Sequence, residues 1–177
     1  MWWSRRGGTG QRARRLGAAL LLGSAALAGC GFALRGTQQL PFPTIALNVP
    51  PNSPLGIELG RAIRTATTTR VVTDATQAAA VFDLLGEVPG EHVNPLFNAQ
   101  GRTTDYTLRY RLRYRLRDAQ GREVIEGTDL AAQRDVSFND SQRLSKDSEE
   151  ALLVRDMRAD LVQQLLRRLA AAKPYAD

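Results

Sequence analysis

The sequence predicts an α+β fold in which two helices pack on one face of a mostly antiparallel sheet of about four strands. Residues 106–117 place tyrosine or leucine at every even position and mostly arginine at odd ones, which is the two-residue period of a strand with one buried face. A second alternating segment follows after a turn. The last part of the chain repeats apolar residues at helical intervals.

Residues 1–29 have the composition of a lipoprotein export signal. Five arginines and no acidic residue precede an apolar run, Leu16–Leu27, which is shorter than the roughly 20 residues of a membrane-spanning helix. The run leads to Leu27-Ala28-Gly29-Cys30, which resembles a bacterial lipoprotein box. Cys30 is the only cysteine, so it has no disulfide partner in the chain. We predict cleavage before Cys30 and lipidation of its thiol, although an ordinary export signal is the alternative.

Residues 30–43 contain two glycines and two prolines and show no clear period, so we expect a lipidated tether. Residues 44–177 are of a usual size for a single α+β domain. It should begin with a strand at 44–49, which Pro50 and Pro51 end. A helix should follow, with Ser53 as its N-cap.

The middle of the chain predicts strands at 70–73 and 78–88, although 78–88 also fits a helix. The Pro89–Thr104 segment has turn residues at both ends and could contain a short extended piece at its centre, and we expect His92 to lie in a loop there. The 105–118 strand then turns at 118–121 and returns along 122–138, with a bulge near Gly127.

The final segment predicts a long amphipathic helix over residues 146–173. Asp147 is placed to cap its start, with Glu150 three residues later. Its apolar stripe should contain Val154, Met157, Leu161, Leu165 and Leu169.

The charge of the chain argues against nucleic-acid binding. The chain has 24 basic and 18 acidic residues, but five of the arginines lie in the predicted signal. The remainder is nearly neutral, whereas nucleic-acid-binding domains are usually basic.

The residue types needed for catalysis are scarce, so we expect no catalytic site, no metal site and no cofactor. His92 is the only histidine, and no serine lies in a nucleophile motif. Several Cys or His ligands for zinc are absent, as is a Gly-rich phosphate loop.

The odd-numbered arginines of the 105–118 strand allow two interpretations. They could face water and pair with Glu126, Asp129 or Asp135 of the next strand. They could instead bind an acidic or phosphorylated ligand, because guanidinium binds phosphate through two parallel hydrogen bonds. Arg109 and Arg111 are the candidates for this second role.

Three segments closely resemble one protein family: "CGFALRG" after the lipoprotein box, "GRTTDY" before the long strand, and "LSKDSEEALLVRDMRADLVQQLLRRL" near the end. They are similar to the lipopolysaccharide-assembly lipoprotein family LptE. The resemblance implies a non-enzymatic outer-membrane protein that plugs the β-barrel translocon LptD and helps deliver lipopolysaccharide to the outer leaflet.

The resemblance also implies basic contacts to lipopolysaccharide near the end of the sheet. One corresponds to Lys146 in the L-x-K-D segment. At the other position this sequence has Ala99, and Arg102 is the nearest cation. The alternatives are a periplasmic lipoprotein of another envelope-assembly complex that binds only protein, and a lipid-processing enzyme.

Overall fold

A computed structural model of the protein describes residues 39–137 and 143–175, and of residues 143–146 it describes the backbone alone. In chain order the elements are β1 (Thr44–Asn48), α1 (Pro54–Ala66), β2 (Arg70–Val72), β3 (Ala80–Phe97), β4 (Thr103–Asp118), β5 (Glu123–Ser137) and α2 (Arg143–Ala170). The α+β class with two helices is confirmed in this part of the chain. The sheet has five strands, where about four were expected.

The strands are arranged in the order β2-β1-β3-β4-β5. β1 runs parallel to both of its neighbours, whereas β3, β4 and β5 form an antiparallel meander. Parallel neighbours need a crossover connection, and α1 supplies it between β1 and β2. β4 is therefore hydrogen-bonded on both sides, and β5 forms an edge.

Of the two helices, α1 begins where the sequence predicts and α2 begins earlier. α1 begins as expected, because the Ser53 hydroxyl accepts a hydrogen bond from the Gly56 amide at 3.1 Å. α2 begins at Arg143, so the predicted cap at Asp147 is wrong and that residue lies inside the helix. The residues before Asp147 include the good helix formers arginine, leucine and lysine, which allow the helix to start three residues earlier than predicted.

β3 is longer than the sequence predicts. It was expected to end at Val88, before Pro89 and Gly90, but it continues to Phe97. The pairing with β4 shifts between Val88 and Glu91, so the two intervening residues form a bulge, in which Gly90 has a positive φ of 71°. A bulge lets the strand absorb a proline that could not donate to a regular ladder.

The core lies between one face of the sheet and both helices. The even-numbered tyrosines and leucines of β4 are all buried, as predicted. The helical residues of the same cluster are Leu55, Leu59, Ile63, Met157, Leu161, Val162, Leu165, Leu166 and Leu169. Tyr114 stacks on Phe82 of β3, with the ring centroids 5.5 Å apart. Both helices thus cover the same face, which leaves the other face of β4 uncovered by them.

The predicted signal, Cys30 and most of the predicted tether lie outside the described residues. Their division from the folded domain therefore stays a prediction. Within residues 39–137 and 143–175, neither helix has an apolar stretch long enough to cross a membrane.

Candidate functional site

The outer face of β4, opposite the helices, holds a row of five arginines that differ in exposure. Arg109, Arg115 and Arg117 are partly buried, whereas Arg111 and Arg113 are exposed. The difference follows from the acids on neighbouring strands, because only the partly buried arginines form ion pairs within the described residues.

Asp83 of β3 binds the two arginines at one end of the row, Arg115 and Arg117. Its buried carboxylate accepts hydrogen bonds from Arg115 at 2.8 Å, from Arg117 at 2.6 and 2.9 Å, and from the Asn48 amide at 2.7 Å. Burial raises the pKa of this carboxyl, but these hydrogen bonds outweigh it and lower the pKa to about 2. Arg115 also pairs with Glu123 at 2.9 Å. These charges stabilise the sheet and leave little capacity for a ligand.

Arg109 is also engaged. Its Nε and a terminal nitrogen both donate to the same oxygen of Glu91, at 3.0 and 2.7 Å. The acids that pair with the row are therefore Asp83, Glu91 and Glu123. The expectation that Glu126, Asp129 or Asp135 would pair with the arginines is wrong: the Asp135 carboxylate accepts instead from the Thr107 hydroxyl, at 2.8 Å.

Arg111 and Arg113 have no ion-pair partner among the described residues. Arg111 lies opposite Val88 of β3 and Ala131 of β5, neither of which carries a charge. Arg113 lies opposite Gly86 and Asp129, but it forms no salt bridge with that carboxylate. Two cationic groups at the centre of the face therefore remain available.

Exposed apolar side chains lie beside these two arginines. A register shift between Leu84 and Gly86 places the extra residue, Leu85, on the surface, where it is 47% exposed, and Val88 is 40% exposed. A Cβ placed on Gly127 of β5 would lie 3.4 Å from a terminal nitrogen of Arg113 and 3.6 Å from a Leu85 methyl group. Leu85, Val88, Arg111 and Arg113 contribute to the lining of an open groove of about 240 Å³.

The other predicted lipopolysaccharide contacts lie towards one end of the sheet. Arg102 is in the β3–β4 turn, where its amide donates to the Asn98 side chain at 2.9 Å. The Lys146 backbone lies in the first turns of α2, and Glu150, one turn later, contacts Tyr106 of β4. Nine residues separate Arg102 from Arg111, about 30 Å along a strand. Arg111 therefore forms no single cluster with Arg102, whereas it shares the outer face with Arg109.

His92 lies on β3, not in the predicted loop. Its Nε2 is 2.9 Å from Glu150, and its ring centroid is 4.4 Å from that of Tyr106, whose hydroxyl donates to the same carboxylate. Burial and this hydrogen bond raise the pKa of Tyr106. The contacts join the start of α2 to the sheet. Across the described ranges, no three His, Cys, Asp or Glu side chains are placed to hold a metal ion.

A larger groove, of about 640 Å³, lies between the two helices. Three of the charges that line it are paired: Arg158 with Glu58 at 2.9 Å, and Asp160 with Arg134. Because these ion pairs tie the helices to each other and to β5, we place the candidate site on the outer face of the sheet instead.

The sequence predicts the arginine face but not the neighbours that distinguish its members. Arg109, one of the predicted contacts, proves to be paired, and the exposed Arg113 is not among the predicted contacts. The missing information was the bulge at Leu85, since a regular β3 would place its residues in another register against β4. The leucine doublet Leu84-Leu85, which breaks a two-residue alternation, was the available signal.

Comparison with known proteins identifies the family. Residues 42–169 match the family described as "LptE: Lipopolysaccharide-assembly". The LPS-assembly lipoprotein LptE of Pectobacterium atrosepticum is 31% identical over 161 residues, which cover 85% of this chain and 83% of that protein. Its counterpart in Yersinia enterocolitica is 32% identical over 161 residues, covering 85% and 73% of the two chains.

Solved structures agree with this relationship. An uncharacterized lipoprotein B from Nitrosomonas europaea is 33% identical, with a TM-score of 0.69 over 80% of this chain and 91% of that one. A minor lipoprotein from Acinetobacter baumannii is 25% identical, with a TM-score of 0.60 over 76% and 99% of the two chains. This chain therefore belongs to the LptE family of lipopolysaccharide-assembly lipoproteins.

Proposed function

We propose that this protein is a non-enzymatic lipoprotein, anchored in the outer membrane through Cys30, that plugs the β-barrel translocon LptD and helps to assemble it. In this role it assists delivery of lipopolysaccharide to the outer leaflet. It binds its partners through surface side chains and uses no cofactor. Lys146, Arg102, Arg109 and Arg111 are the proposed contacts to lipopolysaccharide.

The observation that carries the proposal is the two-sided character of β4. Its even-numbered residues are buried against the helices, and its odd-numbered arginines point to the other side. A plug inside a polar lumen needs a rigid body with a charged outer face, because lumen walls are polar and hydrated. Guanidinium groups on such a face are also suited to the phosphates of a passing anionic lipid.

The four proposed contacts differ in how readily each could bind a phosphate and in where each lies on the sheet. Arg111 is exposed and has no ion-pair partner among the described residues. Arg109 would have to exchange Glu91 for a phosphate, so we expect it to contribute less. Lys146 and Arg102 would act separately from Arg111, towards the end of the sheet at which β4 begins.

The partner is tested by affinity purification of the full-length protein from detergent-solubilised outer membranes. We expect a β-barrel protein to be retained, and mass spectrometry to identify it as LptD. Retention of a different envelope complex, or of none, would contradict the proposed partner and favour the alternative of another assembly machine.

Ligand binding is tested with the same purified protein and fluorescent lipopolysaccharide at increasing salt. We expect binding that weakens as salt rises, because exposed charges are screened. Lys146→Gln should weaken it, whereas Arg64→Gln, which removes an exposed arginine of α1, should not. Unchanged binding by Lys146→Gln would exclude that contact only. Absence of binding by the unmodified protein would exclude the lipopolysaccharide role.

A further inference from the structure

We propose that Arg111, Arg113, Leu85 and Val88 form a binding site for a phosphate-bearing amphiphile at the centre of the outer sheet face. The two arginines would hold the phosphate, and the two apolar side chains would contact the start of the acyl chains. This inference deepens the proposed function and rests on it, because it assigns the lipid to a particular group of side chains.

The first argument is the distribution of counter-charges along β4. The arginines on either side of this pair are bound to Glu91, Asp83 and Glu123, so their positive charge is compensated within the fold. Arg111 and Arg113 are two residues apart on the same face, about 6.6 Å along the strand. Both can therefore reach one phosphate group or two neighbouring ones.

The second argument is the apolar surface at the same place. β3 places Val88 and Gly86 opposite the two arginines, and the bulge adds Leu85 beside Gly86. Exposed leucine and valine side chains would not stabilise the binding of inorganic phosphate. They would stabilise the binding of a charged head group attached to hydrocarbon, because burying apolar surface contributes about 25 cal/mol per Å².

The topology favours a lipid over an extended peptide. A peptide strand adds to a sheet at an edge, where backbone groups are unpaired. β4 is hydrogen-bonded to β3 on one side and to β5 on the other, so it offers side-chain chemistry alone. The groove of about 240 Å³ beside the bulge is lined by both arginines and both apolar side chains, with Glu87 and Asp129 also in the lining.

The ligand class is tested with three compounds that separate head from tail. Fluorescent phosphatidic acid is incorporated in neutral detergent micelles with the full-length protein, and binding is followed by anisotropy. Diacylglycerol, which lacks only the phosphate, and glycerol phosphate, which lacks the chains, serve as competitors. We expect unlabelled phosphatidic acid to displace the probe and each of the others to do so at least about tenfold more weakly. Equal competition by glycerol phosphate would overturn the amphiphile site in favour of a plain phosphate site.

The residues are tested with two double variants and a matched control. Arg111→Gln with Arg113→Gln should weaken phosphatidic acid binding about tenfold or more, because charge-assisted hydrogen bonds are lost. Leu85→Ser with Val88→Ser should also weaken it. Arg61→Gln with Arg64→Gln removes the same charge from exposed positions of α1 and should leave binding unchanged. Unchanged far-ultraviolet circular dichroism would show that each variant is folded.

The failure of this site can be distinguished from failure of the proposed function. If the unmodified protein retains the barrel and binds lipopolysaccharide, but the arginine variant binds phosphatidic acid normally, this site is wrong and the function stands. If the arginine variant binds the lipid normally and loses only the barrel, the four side chains form a protein contact, and the lipid proposal is overturned.

Discussion

Arg117 donates to both oxygens of the Asp83 carboxylate, from Nε to Oδ2 at 2.6 Å and from a terminal nitrogen to Oδ1 at 2.9 Å. This paired contact joins β3 to β4 at the end of the sheet next to the β4–β5 turn. Asp83 also accepts from Arg115 and from Asn48 of β1, so one carboxylate links three adjacent strands. Because Asp83 is buried and its two arginine partners are only partly exposed, water can replace its charge only in part.

We expect Asp83→Asn to lower the free energy of unfolding by about 1–3 kcal/mol, because two guanidinium groups lose their anionic acceptor. Urea denaturation followed by circular dichroism measures the change. Asp129→Asn is the matched control, because Asp129 is an exposed acid on the same face with no salt bridge to any residue that the structure describes; it should change the value by less than about 0.5 kcal/mol. Equal effects of the two substitutions would show that the Asp83 contacts contribute nothing specific.

The same carboxylate predicts a pH dependence of stability. Its pKa in the folded protein is about 2, below the ordinary value of 3.8. The contribution of this carboxylate to the free energy of unfolding is therefore present above the ordinary pKa and is lost as the pH falls from about 4 towards 2. Its full size is about 2 kcal/mol, from the linkage between pKa and stability. Denaturation midpoints measured over this range should fall less steeply in Asp83→Asn, and parallel curves for the two proteins would contradict the assignment.

How far the sequence predicts this structure depends on whether a feature is local. The alternation in β4 and the apolar stripe of α2 arise from the periodicity of the chain. The burial of Tyr110, Leu112 and Leu161 could therefore be predicted from the sequence. The bulge at Pro89-Gly90 depends on whether β4 continues beside β3, which is a tertiary relationship. For the same reason the partner of Arg109 could not be predicted, since Glu91 faces it only in the shifted register.

The core of α2 can be tested with two leucines of the same helix. Leu161 is fully buried between the helices and the sheet, whereas Leu152 is 57% exposed. Leu161→Ala should reduce the free energy of unfolding by about 2–5 kcal/mol, because it removes buried methyl groups and leaves a cavity. Leu152→Ala should cost less than about 1 kcal/mol. A similar loss at both sites would mean that α2 does not pack in the described orientation.

The bulge in β3 predicts a difference between two glycines of one strand. Gly90 has a φ of +71°, and a Cβ added there would lie 3.3 Å from a methyl group of Val154. At Gly86 the corresponding position has no heavy atom within 4 Å among the described residues, apart from those of its chain neighbours. Gly90→Ala should therefore destabilise the protein by about 1–2 kcal/mol, because alanine is strained in the left-handed region. Gly86→Ala should be nearly neutral. Thermal denaturation measures both changes, and a greater loss of stability in Gly86→Ala than in Gly90→Ala would contradict the bulge at Gly90.

Lipidation at Cys30 is the prediction on which anchoring depends. If the peptidase cuts before this residue, mass spectrometry of the protein from membranes should find an N-terminal peptide that begins at Cys30 and carries acyl chains. Cys30→Ser should abolish this modification and leave the signal uncleaved, because the thiol is the acylated group. Leu27, Ala28 and Gly29 are unchanged in that variant, so any difference arises from the thiol. An unmodified Cys30 in the mature protein would exclude the lipid anchor.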